Sequence, residues 1–149
     1  MTEKQHNLGY VSIKGWKSSK KSLYDDWFLE EEDTKEEVKN NNPSEVILEP
    51  NTEYNLIIDY PLSTPFSRKL NTFSKGMTKL ELVDLVCRTY KQIYKEENRS
   101  TKVKEDYLEG TYNRVKTNGK YGIWGHHIGD LILCSAYVKD KTITLGVDS

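Results

Sequence analysis

The sequence predicts an α+β fold: an antiparallel or mixed sheet of about five strands, one main amphipathic helix on a face, and a C-terminal β-hairpin. Three observations carry this. Residues 78–97 hold two adjacent apolar stripes at helical spacing. Short segments of strand period flank that helix on both sides. The last residues form two apolar runs, 131–138 and 142–147, separated by Lys139-Asp140-Lys141.

The helix is the best-defined element. Thr78 with Glu81 three positions on is a capping box, and Met77 and Leu82 stand at staple positions. Leu82, Leu85, Val86, Thr89 and Ile93 line one stripe, and Val83, Cys87, Tyr90 and Tyr94 a second beside it. So wide an apolar arc belongs to a helix lying against a sheet, with further cover on its flank. Asp84, Arg88, Lys91 and Lys95 fall on the wet face, Asp84 and Arg88 as an i,i+4 pair.

Upstream, residues 1–8 read as a loose terminus, and Val11 and Ile13 alternating with Ser12 and Lys14 read as a strand within 9–16. Residues 17–44 read as an acidic and polar accessory or mobile segment, dense in Glu and closed by Asn40-Asn41-Asn42-Pro43. Within it Trp27 and Phe28 are candidate docking anchors. Strands are expected at 45–49, 54–60 and 66–73, the last with Phe66, Arg68, Leu70 and Thr72 on one face. Downstream of the helix the chain is polar to Lys120, with Tyr107, Leu108 and Tyr112 as its expected anchors in a short helix and Asn118-Gly119 as a turn.

The chain has 149 residues, which suits a single domain, 1–149, with a real core. Its net charge of −1 produces no field favouring nucleic acid or membrane. Cys87 and Cys134 make neither a metal spacing nor a disulfide framework and read as free thiols. With a polar start and no apolar run of membrane-spanning length, the expectation is a soluble, intracellular, cytoplasmic protein that is not secreted.

The chemistry concentrates in one run, Tyr121-Gly122-Ile123-Trp124-Gly125-His126-His127-Ile128-Gly129-Asp130. Tyr121, Trp124, His126, His127 and Asp130 are the candidate binding residues. Adjacent histidines diverge on a helix or a strand, so they rarely share an ion, and nothing else has ligand spacing; no metal is expected. No phosphate loop or nucleophile elbow appears, so neither a cofactor nor a catalytic residue is assigned. The leading expectation is a non-enzymatic interaction module with a protein partner. The first alternative is a small hydrolase-like or metal-assisted enzyme using His126 and Asp130, with Cys134 or Ser135 near by. The second is nucleic-acid binding through a basic face of Arg68, Lys69, Lys75, Lys79, Arg114, Lys116 and Lys120.

Gly119 to His126, Ile128-Gly129-Asp130-Leu131 and Leu145-Gly146-Val147-Asp148-Ser149 resemble a tail pattern in small uncharacterised proteins of protists and large DNA viruses. Gly76-Met77-Thr78 with Glu81-Leu82 belongs to the same pattern. The resemblance covers the second half of the chain. It implies a shared domain there, preceded by an accessory segment of about 45 residues, and nothing about chemistry.

Overall fold

The computed structural model describes residues 3–16 and 42–149. The segment 17–44, including Trp27 and Phe28, lies outside the described residues apart from Asn42, Pro43 and Ser44. In chain order the strands are β1 (Lys4–Ser12), β2 (Val46–Leu48), β3 (Glu53–Ile58), β4 (Phe66–Asn71) and β5 (Met77–Thr78), followed by the helix α1 (Lys79–Ser100). A 3₁₀ turn (Ile128–Asp130) then leads into β6 (Ile132–Lys139) and β7 (Thr142–Asp148). The main sheet runs β1-β6-β7-β3-β4, and β2 pairs with β5 in a small second sheet. The β3–β7 pairing is parallel and the other pairings are antiparallel, so the sheet is mixed. The expected α+β class holds.

Alternation builds the core. Tyr54, Leu56 and Ile58 of β3 and Leu133 and Ile143 of the hairpin are buried together with both helical stripes. The capping box forms as the sequence implies: Thr78 Oγ1 accepts from the Glu81 N–H at 3.2 Å, and Glu81 Oε1 accepts from the Thr78 N–H at 3.0 Å. The Asp84–Arg88 pair closes at 2.9 Å. The hairpin turn uses positive φ at Asp140 and Lys141, the two-residue primed geometry that matches strand twist. At Gly76, also at positive φ, an added Cβ would sit 2.3 Å from the Leu48 carbonyl, so the β2–β5 crossing admits no side chain there.

Two expectations are corrected. The described part of 1–8 is not loose: β1 starts at Lys4 and pairs with β6 from Lys4↔Val138 onward. This first half of β1 is an edge exposed to water, held by the backbone ladder rather than by apolar alternation, and so carries no hydrophobic signal. Nor is there a helix around Tyr107 to Tyr112. That stretch is a small hairpin-like loop closed by Leu108 N–H donating to Asn113 O at 2.8 Å and by a Tyr107↔Arg114 bridge. Neither Leu108, half exposed, nor Tyr112, 92% exposed, is an anchor.

Candidate functional site

What anchors the polar stretch after α1 is a buried carboxylate. Glu97 continues the stripe of Val86 and Ile93 onto the last helical turn and is fully buried. Its two oxygens accept from Thr117 Oγ1 at 2.6 Å and from the backbone N–H groups of Gly119 (2.9 Å), Tyr121 (2.8 Å), Gly122 (3.2 Å) and Ile123 (3.4 Å). Burial alone raises a carboxyl pKa, but these donors outweigh it and hold Glu97 below the ordinary carboxylate range. Gly119 is required by this embrace, because a Cβ there would come within 2.7 Å of the Glu97 carbonyl and carboxylate.

Thr117 passes the network on. Its hydroxyl donates to Glu97 and accepts from Arg114 at 2.9 Å. The Arg114 side chain is fully buried. It donates also to the Ile123 carbonyl at 3.2 Å and to Glu105 Oε1 at 3.2 Å, and lies 5.5 Å from the centre of the Tyr94 ring. Glu105 Oε2 lies 3.1 Å from Nδ1 of His127, whose ring packs 4.3 Å from that of Tyr107. Burial raises the Glu105 pKa, yet His127, Asn98 and Arg114 together bring it below the ordinary value. Among the described residues two buried side-chain atoms, Arg114 Nε and His127 Nε2, are sealed from solvent without a hydrogen-bond partner.

The five candidate residues therefore divide. Tyr121 is core: its hydroxyl donates to Glu96 Oε2 at 3.1 Å, and its carbonyl accepts from the Ser63 and Thr64 N–H groups. His127 is largely enclosed, with the half-buried Glu105 as its carboxylate partner. Asp130 is exposed and serves the backbone, its Oδ2 accepting from the His127 N–H at 2.9 Å. Trp124 and His126 face outward with Tyr60. The Tyr60 and Trp124 rings meet edge to face at 5.5 Å, and the His126 ring lies 5.5 Å from Tyr60 and 6.1 Å from Trp124. Trp124 is 38% exposed, and its backbone is tied to the Pro61 carbonyl at 3.1 Å.

His126 and Asp130 are thus engaged separately. Ser149 Oγ lies 3.4 Å from His126 Nε2, while Asp130 holds the turn. Cys134 and Ser135 sit within β6, and burial pushes the Cys134 thiol pKa up, away from a reactive thiolate. Cys87 is buried, with its pKa raised for the same reason. Among the described residues no group of three or more His, Cys, Asp or Glu is arranged to hold a metal ion. No described helix is long and apolar enough to cross a membrane.

The expected basic face is corrected in part. Arg114 is internal, and Lys79 is nearly so and pairs with Glu45 at 3.2 Å. Lys69 and Lys120 pair with Glu53 and Glu96. Arg68, Lys75 and Lys116 remain as surface cations. The sequence reading missed Glu97, Glu105 and Arg114 as the organising residues. For Glu97 one signal existed, a carboxylate on the line of an otherwise apolar stripe.

The described chain is thus an α+β protein in which a polar network ties the end of its long helix to the connection that leads toward the terminal hairpin. No family model, no curated protein and no solved structure matches it.

Proposed function

We propose that the protein is a non-enzymatic binding module that contacts a protein partner through the outward ridge of Trp124, Tyr60 and His126. The observation that supports this reading is the division of the 121–130 run. Its inner residues, Tyr121 and Ile123, are fixed by Glu97, while the adjoining Trp124 is held in an aromatic stack yet left partly open to water. A large aromatic side chain already held in place loses little further freedom on binding, and such residues dominate interface energies. The likeness to small proteins of protists and large DNA viruses belongs to the same proposal. Kin sharing this domain are expected to keep a carboxylate at 97 and an arginine at 114.

The test is site-specific photo-crosslinking from position 124, with the exposed position 10 as control, followed by calorimetry with the purified crosslinked protein. Trp124→Ala should weaken that complex by about tenfold or more while leaving the melting temperature nearly unchanged. A parallel thermal-shift screen against metals, nucleotides and oligonucleotides separates the rival classes. Saturation at a hundred times Kd adds about 2.7 kcal/mol of apparent stability. A metal shift lost in His126→Ala, or salt-sensitive oligonucleotide binding lost in Lys116→Ala, would displace the proposal. So would a Trp124→Ala variant that simply unfolds.

A further inference from the structure

The two edges of the main sheet differ. At β1 the ladder to β6 breaks between Asn7 and Val11, around Gly9 at positive φ, a bulge of the kind that blunts an edge. At β4 the ladder to β3 is unbroken from Glu53↔Asn71 to Ile58↔Phe66. The Thr72 N–H donates to Thr52 O at 3.0 Å in the same register, so by antiparallel alternation Phe66, Arg68 and Leu70 bond inward to β3. The N–H and C=O groups of Ser67, Lys69 and Asn71 then point outward, and none has a backbone partner among the described residues.

Beside this open edge runs a groove of about 270 Å³ between β4 and α1, lined by Phe66, Arg68, Leu85, Arg88, Thr89 and Gln92. Phe66 and Leu85 supply an apolar floor. Arg68 makes no ion pair among the described residues, and Arg88 uses only its Nε on Asp84, with its side chain 60% exposed. An unbroken edge, a groove on the face of the neighbouring strand residues and two available guanidinium groups thus coincide.

We infer that the β4 edge docks an extended acidic peptide segment of a partner protein as an added strand. Its backbone pairs with Ser67, Lys69 and Asn71, the mode in which ladder bonds give affinity and alternate side chains give specificity. A carboxylate on the groove side opposite Arg68 reaches between Arg68 and Arg88, and apolar side chains two positions along cover Phe66 and Leu85. Charge decides the occupant. An antiparallel second copy centred on this edge would set Arg68 against Arg68 or Lys69 against Lys69, according to register, and like charges facing across strands oppose pairing. This surface is separate from the Trp124 ridge, and the two proposals stand or fall independently.

The experiment is fluorescence anisotropy of the whole protein with a short labelled peptide that alternates Thr with a Val-Glu-Val face, against the same peptide with Lys in place of Glu. The acidic peptide should bind saturably, and Arg68→Glu with Arg88→Glu should weaken it by about ten- to a hundredfold and favour the Lys peptide. Lys69→Pro removes one outward N–H without touching a ladder bond to β3, and should abolish binding that Lys69→Ala retains, the exposed Lys69–Glu53 ion pair being lost equally in both, with circular dichroism unchanged in both. Binding that survives Lys69→Pro, equal binding of the Lys peptide, equal competition by a single-stranded oligonucleotide, or no binding at all would overturn the inference. Concentration-dependent dimerisation lost in Lys69→Pro would assign the edge to a second copy instead.

Discussion

The two ends of α1 are buried by opposite means. From Leu80 to Tyr94 the helix is held by apolar side chains against the sheet, and each residue contributes through area removed from water. On the last turn the same stripe carries Glu97, held by hydrogen bonds from a loop of more than twenty residues downstream. The first arrangement tolerates change in small steps, since a lost methyl group costs its transfer energy and a cavity. The second does not: removing one carboxylate strands a hydroxyl and four backbone N–H groups at once. A single polar residue can therefore organise a loop that has few apolar anchors of its own, but only as an all-or-none clamp.

The sharpest test of that contrast is Glu97→Ala, expected to cost at the upper end of about 3–5 kcal/mol or to prevent folding, as when one partner of a buried charged network is deleted. Thr117→Val in the same background should add little, because both act through one network. Chemical denaturation of the single and double variants measures it, and additive losses would break the clamp into independent contacts. Next in size is Ile93→Ala, one turn earlier on the same stripe and fully buried, at about 2–4 kcal/mol. It should loosen the whole domain without singling out the loop, whereas Glu97→Ala should first lose amide protection at Gly119, Tyr121 and Gly122.

Acid discriminates between the two ends without mutation. Glu97 and Glu105 both have lowered pKa values in the folded chain. Their contribution is therefore present above the ordinary glutamate value and is lost as pH falls through the lowered native values. Unfolding free energy should decline from about pH 4.3 downward, with the loop near Tyr121 exchanging its amides first. Glu97→Gln should flatten that decline; an unchanged acid limb would place the titrating groups elsewhere.

The same contrast explains what was legible in the sequence. The helix, its capping box and the hairpin rest on apolar period or short-range caps, which one strand of text displays, whereas the choice between an antiparallel and a mixed sheet turns on the long-range parallel pairing of β3 with β7, which it does not. The first half of β1 rests on backbone pairing at an edge, which leaves no side-chain signature. The network of Glu97, Thr117, Arg114 and Glu105 joins residues far apart in sequence, and apart from Glu97, which falls on the apolar stripe, each alone looks like an ordinary surface residue. Tyr107, Leu108 and Tyr112 look like anchors by their apolar surface, but Leu108 and Tyr112 are exposed and the buried Arg114 holds the loop instead. The candidate run 121–130 was legible as a place, while its division into Tyr121 inside and Trp124 outside depends on which N–H groups Glu97 takes.

The smallest expected effect follows from that misplaced weight. Tyr112 stands 92% exposed at the tip of the 107–114 loop. The loop is held beneath it by Leu108 N–H to Asn113 O at 2.8 Å, by Thr111 N–H to Leu108 O at 3.0 Å, and by the backbone of Arg114 donating to Gly125 O at 3.1 Å. None of these bonds uses the Tyr112 ring. Tyr112→Ser should therefore shift the unfolding free energy by less than about 0.5 kcal/mol, the usual range for a surface change that leaves packing untouched. Arg114→Met, at the base of the same loop, removes the donor to Thr117 and Glu105 and should cost several times more. Equal losses would mean that Tyr112 is buried in solution against another molecule. That outcome is separable by concentration, since a contact between chains makes the midpoint rise with protein concentration and an intrachain contact does not.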